Sequence, residues 1–89
     1  MSWPKEKSVM VGAHSVATVS NKTIRADHSV IIETTATIEN VIYTENWTLP
    51  RNPQYSAIQA QTDFDAHILK VATEAAGRLV AHQITEILQ

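Results

Sequence analysis

From Thr23 to Leu49 apolar and polar residues alternate, and the phase of that alternation changes once. Ile24, Ala26, His28, Val30, Ile32, Thr34, Ala36 and Ile38 occupy the even positions, mostly apolar. Thr23, Arg25, Asp27, Ser29, Ile31, Glu33, Thr35 and Thr37 occupy the odd ones. Beyond Asn40 the apolar set moves to odd positions: Val41, Tyr43, Trp47 and Leu49. A period of two is that of a β-strand with one buried face. One straight strand cannot keep that face buried through a one-residue slip, because every side chain would change sides. A hairpin can. With Glu39-Asn40 as a two-residue turn, Ile38 lies opposite Val41, Ala36 opposite Tyr43, Ile32 opposite Trp47 and Val30 opposite Leu49, all on one face. Asparagine tolerates the positive φ such turns need.

The same reasoning applies upstream. Val9, Val11, Ala13, Ala17 and Val19 are the odd-numbered apolar residues of SVMVGAHSVATVS. A turn at Asn21-Lys22 sets Val19 opposite Ile24, Ala17 opposite Ala26, Ala13 opposite Val30 and Val11 opposite Ile32. The expectation is a three-stranded antiparallel meander. Its middle strand, Thr23 to Ile38, is long enough to require a bulge or bend. Thr18, Thr35, Thr37, Thr44 and Thr48 then line a solvated outer face.

TLPRNPQ holds two prolines and reads as a loop. Residues 55–61 read either as a fourth strand or as a helical turn capped by Ser56 with Gln59 three residues on. From Asp63 the pattern is helical. Phe64, Ile68, Leu69, Ala72, Ala75, Ala76, Leu79, Val80 and Ile87 fall within an arc of roughly 160°. Thr62 with Asp65 resembles a capping box, and Lys70, Glu74 and Arg78 are spaced for i,i+4 pairing. The whole chain reads as one α+β domain, βββα. Residues 1–7 are irregular, 8–49 form the meander, 50–62 a loop, and 63–88 a helix covering the apolar sheet face.

The chain has 89 residues, no cysteine and a formal charge of −2. Disulfides, thiolate metal sites and cysteine catalysis are excluded. Seven scattered Lys and Arg do not form the clustered basic face of a nucleic-acid-binding protein. No apolar run reaches the roughly 18 residues of a membrane helix. The N-terminus is a poor signal peptide, so a cytoplasmic location is expected, a removed signal staying open. No cofactor is implied; there is no glycine-rich phosphate loop.

His14 falls opposite Ser29 with Asp27 on the diagonal. A flat sheet face offers that group no pocket and no oxyanion donors, so the balance is against an enzyme. His28 stands on the apolar face as a buried histidine whose pKa burial would depress. His67 and His82 are too far apart to share a metal within one chain. Trp47 and Tyr43 read as core. Trp3 and Tyr55, in irregular segments, are candidates for a surface that meets a protein partner. A small-ligand site between protomers, near His28, Arg51 or Tyr55, is the alternative.

The ending ILKVATEAAGRLVAHQITEIL resembles the C-terminal helices of envelope accessory lipoproteins of the lipopolysaccharide-assembly type, which also pack a helix on a small sheet. The likeness covers the helix only and rests on Ala, Leu and Ile spacing. The lipid-attachment cysteine of those proteins has no counterpart in this sequence. The resemblance implies a helix-on-sheet fold and an accessory role at the envelope.

The first strand is an edge of the expected meander, and from Ser8 to Asn21 it has no charged residue and no proline. Free edges are normally blunted by such residues. A homo-oligomer paired through the Val9–Val19 edge is therefore expected, and the chain reads as a non-enzymatic binding or assembly module.

Overall fold

In the computed structural model, which describes residues 2–88, five elements follow one another: β1 (Lys5–Val11), β2 (His14–Ile24), β3 (Val30–Ile38), β4 (Val41–Thr48) and α1 (Ala57–Ile87). The strands form one antiparallel sheet in the order β1-β2-β3-β4, and α1 packs on one of its faces. The α+β meander with a single C-terminal helix is the architecture expected, with four strands.

The Glu39-Asn40 hairpin has the expected register: Ile38 pairs with Val41, Ala36 with Tyr43 and Ile32 with Trp47. The positive φ falls on Glu39, at 51°, rather than on Asn40. The N-terminal third differs. Val9–Val19 is not one edge strand but a hairpin turning at Gly12-Ala13, where Val9 pairs with Val16 and Val11 with His14. Gly12 takes φ +59°, a conformation that glycine adopts without a Cβ penalty. Asn21 and Lys22 lie inside β2, opposite Glu33 and Ile32. The turn between β2 and β3 is at residues 25–29, so the expected long strand from Thr23 to Ile38 is broken there. Asp27 Oδ1 accepts hydrogen bonds from the Ser29 amide (3.0 Å) and hydroxyl (2.6 Å), and His28 carries φ 68°. The Ser29 groups hold the Asp27 carboxyl below its usual value.

The turn at Gly12-Ala13 reverses which side of β2 is buried. Val16, Thr18 and Ser20 face the helix, while Ala17 and Val19 face out. Hydrogen bonding makes that tolerable. Ser20 Oγ and Thr34 Oγ1 share a bond of 2.6 Å, and Thr18 Oγ1 donates to the Lys7 carbonyl at 2.9 Å. Buried hydroxyls with partners escape most of the desolvation penalty.

The core joins Val16, Ala36 and Ile38 of the sheet to Val71, Ala72, Ala75, Ala76 and Leu79 of α1, with Val9, Val11, Val41 and Tyr43 packed around it. The alanines let the helix approach the sheet closely. α1 starts at Ala57, six residues before the expected boundary, because Ser56 is the N-cap and its Oγ accepts from the Gln59 amide at 3.1 Å. Thr62 and Asp65 lie inside the helix, where Thr62 donates to the Ile58 carbonyl and Asp65 accepts from Gln61. At 31 residues α1 is about 46 Å long and overruns the sheet. Residues 80–88 are all exposed. Among the described residues no helix is long and apolar enough to cross a membrane.

Candidate functional site

Three aromatic residues distant in sequence meet where α1 begins. The register that pairs Ile32 with Trp47 places Trp47 on the helix-facing side of β4. The segment before β1 brings Trp3 to the same end of the sheet, and the second turn of α1 lowers Phe64 between them. Phe64 stacks on Trp47 with centroids 6.4 Å apart and planes 21° apart, and meets Trp3 edge-on at 5.9 Å and 73°. Both are favourable aromatic geometries. Lys5 Nζ lies 4.8 Å from the Trp3 ring centroid and 5.8 Å from that of Phe64. The three rings, with Ile32, Leu49 and Ala60, line a cleft of about 190 Å³. Its polar lining side chains are Lys5 and Gln61; no carboxylate lines it. Such a site can hold an apolar group.

His67 packs beyond the cleft, with its ring 5.8 Å from that of Trp47 and 7% exposed. Its Nε2 has no hydrogen-bond partner. Burial holds its pKa below the ordinary value, although nearby Glu45 opposes the shift. Glu45 pairs with Lys70 at 3.2 Å and accepts from the Tyr43 hydroxyl at 3.1 Å. The Lys70 bond in particular lowers its pKa.

The second feature is a flank of α1. On its β4 side the helix is charged: Lys70 reaches Glu45, and Arg78 pairs with Glu74 while its guanidinium lies 4.5 Å from the Tyr43 ring centroid. The other flank carries Leu69, Thr73, Gly77, Val80, Ile84 and Ile87, with no charged residue. Leu69, Val80, Ile84 and Ile87 are 50%, 36%, 49% and 77% exposed. A Cβ built on Gly77 would meet nothing within 4 Å, so packing within the chain does not require glycine there.

Of the residues named from sequence as candidates for a partner or ligand surface, Trp3 alone belongs to the cleft. Tyr55 lies outside it, donating to Asp63 Oδ2 at 2.7 Å. Desolvation, then that carboxylate, push its phenol up to about 12. Arg51 is exposed, with Asp27 as an electrostatic neighbour. The His14, Ser29 and Asp27 group does not exist. His14 is at the Gly12-Ala13 hairpin on the helix-facing side, while Ser29 and Asp27 are in the turn at the other end of β2. His28 is exposed in that turn, not on an apolar strand face; the buried histidine is His67. Lys5, Phe64 and His67 were not legible as site residues, since each reads locally as a surface charge or a helix-face residue. Among the described residues no three of His, Asp and Glu are grouped to hold a metal ion.

Comparison with known protein families, curated proteins and solved structures returned no match.

Proposed function

We propose that the protein is a non-enzymatic assembly module that acts as a homodimer, two copies meeting along the uncharged flank of α1. The observation that carries this reading is an excess of surface. The chain exposes 6149 Å², against roughly 5,200 Å² for a compact monomer of 9.9 kDa. The excess is close to the roughly 800 Å² that one partner contributes to an interface of standard size. The radius of gyration, 15.2 Å, likewise exceeds the roughly 12 Å of a compact chain of this length. The last turns of α1, residues 80–88, are exposed and include Val80, Ile84 and Ile87. Small residues at 73 and 77 between Leu69 and Val80 allow two helices to approach closely. A two-fold axis makes one such stripe its own complement.

Pairing through the sheet edge is less well supported than the sequence suggested. β2 is internal, and the true edge, β1, carries Lys5, Glu6 and Lys7, charges of the kind that blunt an edge. The helix-on-sheet arrangement agrees with the resemblance to envelope accessory lipoproteins, and an accessory role there is the alternative. The test is mass by light scattering at high micromolar concentration. Wild type should have twice the chain mass, and Val80→Glu, with its circular dichroism unchanged, should have the mass of one chain. A monomeric wild type refutes the reading.

A further inference from the structure

We infer that two copies lie antiparallel along α1, with Thr73 on the two-fold axis and Leu69 of each chain seated on the partner's Gly77. This rests on the dimer proposed above and adds its direction and register. The aliphatic face of α1 begins before Leu69. Ile58, Thr62 and Ala66 extend it towards the helix start, all exposed, and Thr62 satisfies its hydroxyl within the helix at the Ile58 carbonyl. From residue 62 to residue 84 the face advances in steps of 4, 3, 4, 4, 3 and 4 residues. That order reads the same in both directions, and Thr73 is its midpoint. A face with this symmetry overlays a second copy of itself run backwards.

Size decides between the two directions. A two-fold axis parallel to the helices sets every residue against its own copy. Leu69 would then meet Leu69 and Gly77 would meet Gly77, so bulk holds the helices apart where glycine leaves a gap. Reversed about Thr73, each large side chain meets a small one: Leu69 the partner's Gly77, Val80 the partner's Ala66, and Ile84 the partner's Thr62. Side chains of one helix then enter gaps in the other. The overrun of α1 is covered in the same way. Residues 80–88 lie along 58–66 of the partner, and Ile58 and Leu88, 82% and 70% exposed, meet at both ends. The helix ends agree. The first turn of α1 has no acidic residue and the last no basic one, so its own side chains offset neither end of the helix dipole. An antiparallel neighbour offsets both.

The chain has no cysteine, so single cysteines introduced into it report the contact by disulfide formation under molecular oxygen. Helix axes 8–10 Å apart bring facing Cα atoms to roughly 5 Å, the span of a disulfide. Thr73→Cys, on the axis, should cross-link to itself. An equal mixture of Ala66→Cys and Val80→Cys should give the mixed disulfide, identified by mass. It should form at least about tenfold faster than Thr37→Cys, exposed on the outer sheet face, links to itself. Val80→Cys alone should not outpace that control, because its two thiols lie about 21 Å apart along the axis. Circular dichroism and light scattering check that each variant folds and dimerises. Self-linking of Val80→Cys faster than the mixed product shows parallel helices; it overturns the direction and leaves the dimer standing. A dimer whose mixed product is no faster than the control overturns the register. A monomeric wild type overturns the dimer, and this inference with it.

Discussion

His67 is buried against Trp47 with an unpartnered Nε2, in a place where protonation is unfavourable. Burial lowers its folded pKa; Lys70 adds to the shift and Glu45 opposes it. The sign of the pH effect follows. As pH falls through the ordinary histidine value near 6.5, the unfolded chain takes up a proton that the folded chain refuses, and stability drops. The loss from this group stops growing once pH passes below the folded pKa. His67→Phe keeps a ring against Trp47 and removes the unpaired nitrogen. We expect it to flatten the decline in stability between about pH 7 and 5, and to add about 1 kcal/mol at neutral pH by removing an unsatisfied buried group. Urea midpoints for both proteins across that range check it. Parallel pH profiles would show that another group governs the acid dependence.

At the scale of the element, the proposed dimer would give α1 two roles that conflict in one residue. Glycine in a helix interior is less stable than alanine by about 1 kcal/mol, and at Gly77 the chain's own packing offers no reason for it. A close approach by a second helix in the proposed dimer would. Gly77→Ala should therefore raise the melting temperature of dilute, monomeric protein by several degrees, as about 1 kcal/mol does in a domain of this size. The same change should weaken the dimer, read as a larger dissociation constant by sedimentation. A dimer as tight as wild type would show that Gly77 lies outside the contact. The sheet has its own division of labour. One face meets α1, while on the other Thr35 and Thr44 share an exposed hydrogen bond of 2.9 Å.

The whole molecule is 54 Å long and 25 by 22 Å across, a shape set by one helix longer than the sheet it covers. Among the described residues its buried apolar core is eleven residues, five of them from the sheet and six from the helix. A core of that size leaves little margin at this length. If two copies share surface, their association adds to folding stability by mass action. The melting temperature of wild type should then rise with protein concentration, by an amount that Leu69→Glu removes. Scanning calorimetry over a hundredfold range of concentration decides it, and a melting temperature independent of concentration in the wild type would count against assembly.

The sequence by itself determined the hairpin at Glu39-Asn40 and the helix that follows. In both cases the pattern and the structure that satisfies it lie within a short stretch of chain. A phase change in a two-residue period admits only a turn, and a long 3.6-residue period admits only a helix against a sheet. Gly12 was the available signal for the first hairpin, a lone glycine interrupting an alternating run. The expectation that Thr18 faces solvent outweighed it. What decided otherwise was tertiary: Ser20 and Thr34 satisfy each other across two strands, and the cost of burying a hydroxyl belongs to the pair, not to either residue. The aromatic cleft was out of reach for the same reason. Trp3, Trp47 and Phe64 come from a leading segment, an edge strand and a helix. Only the register of the sheet and the angle of α1 bring them within stacking distance.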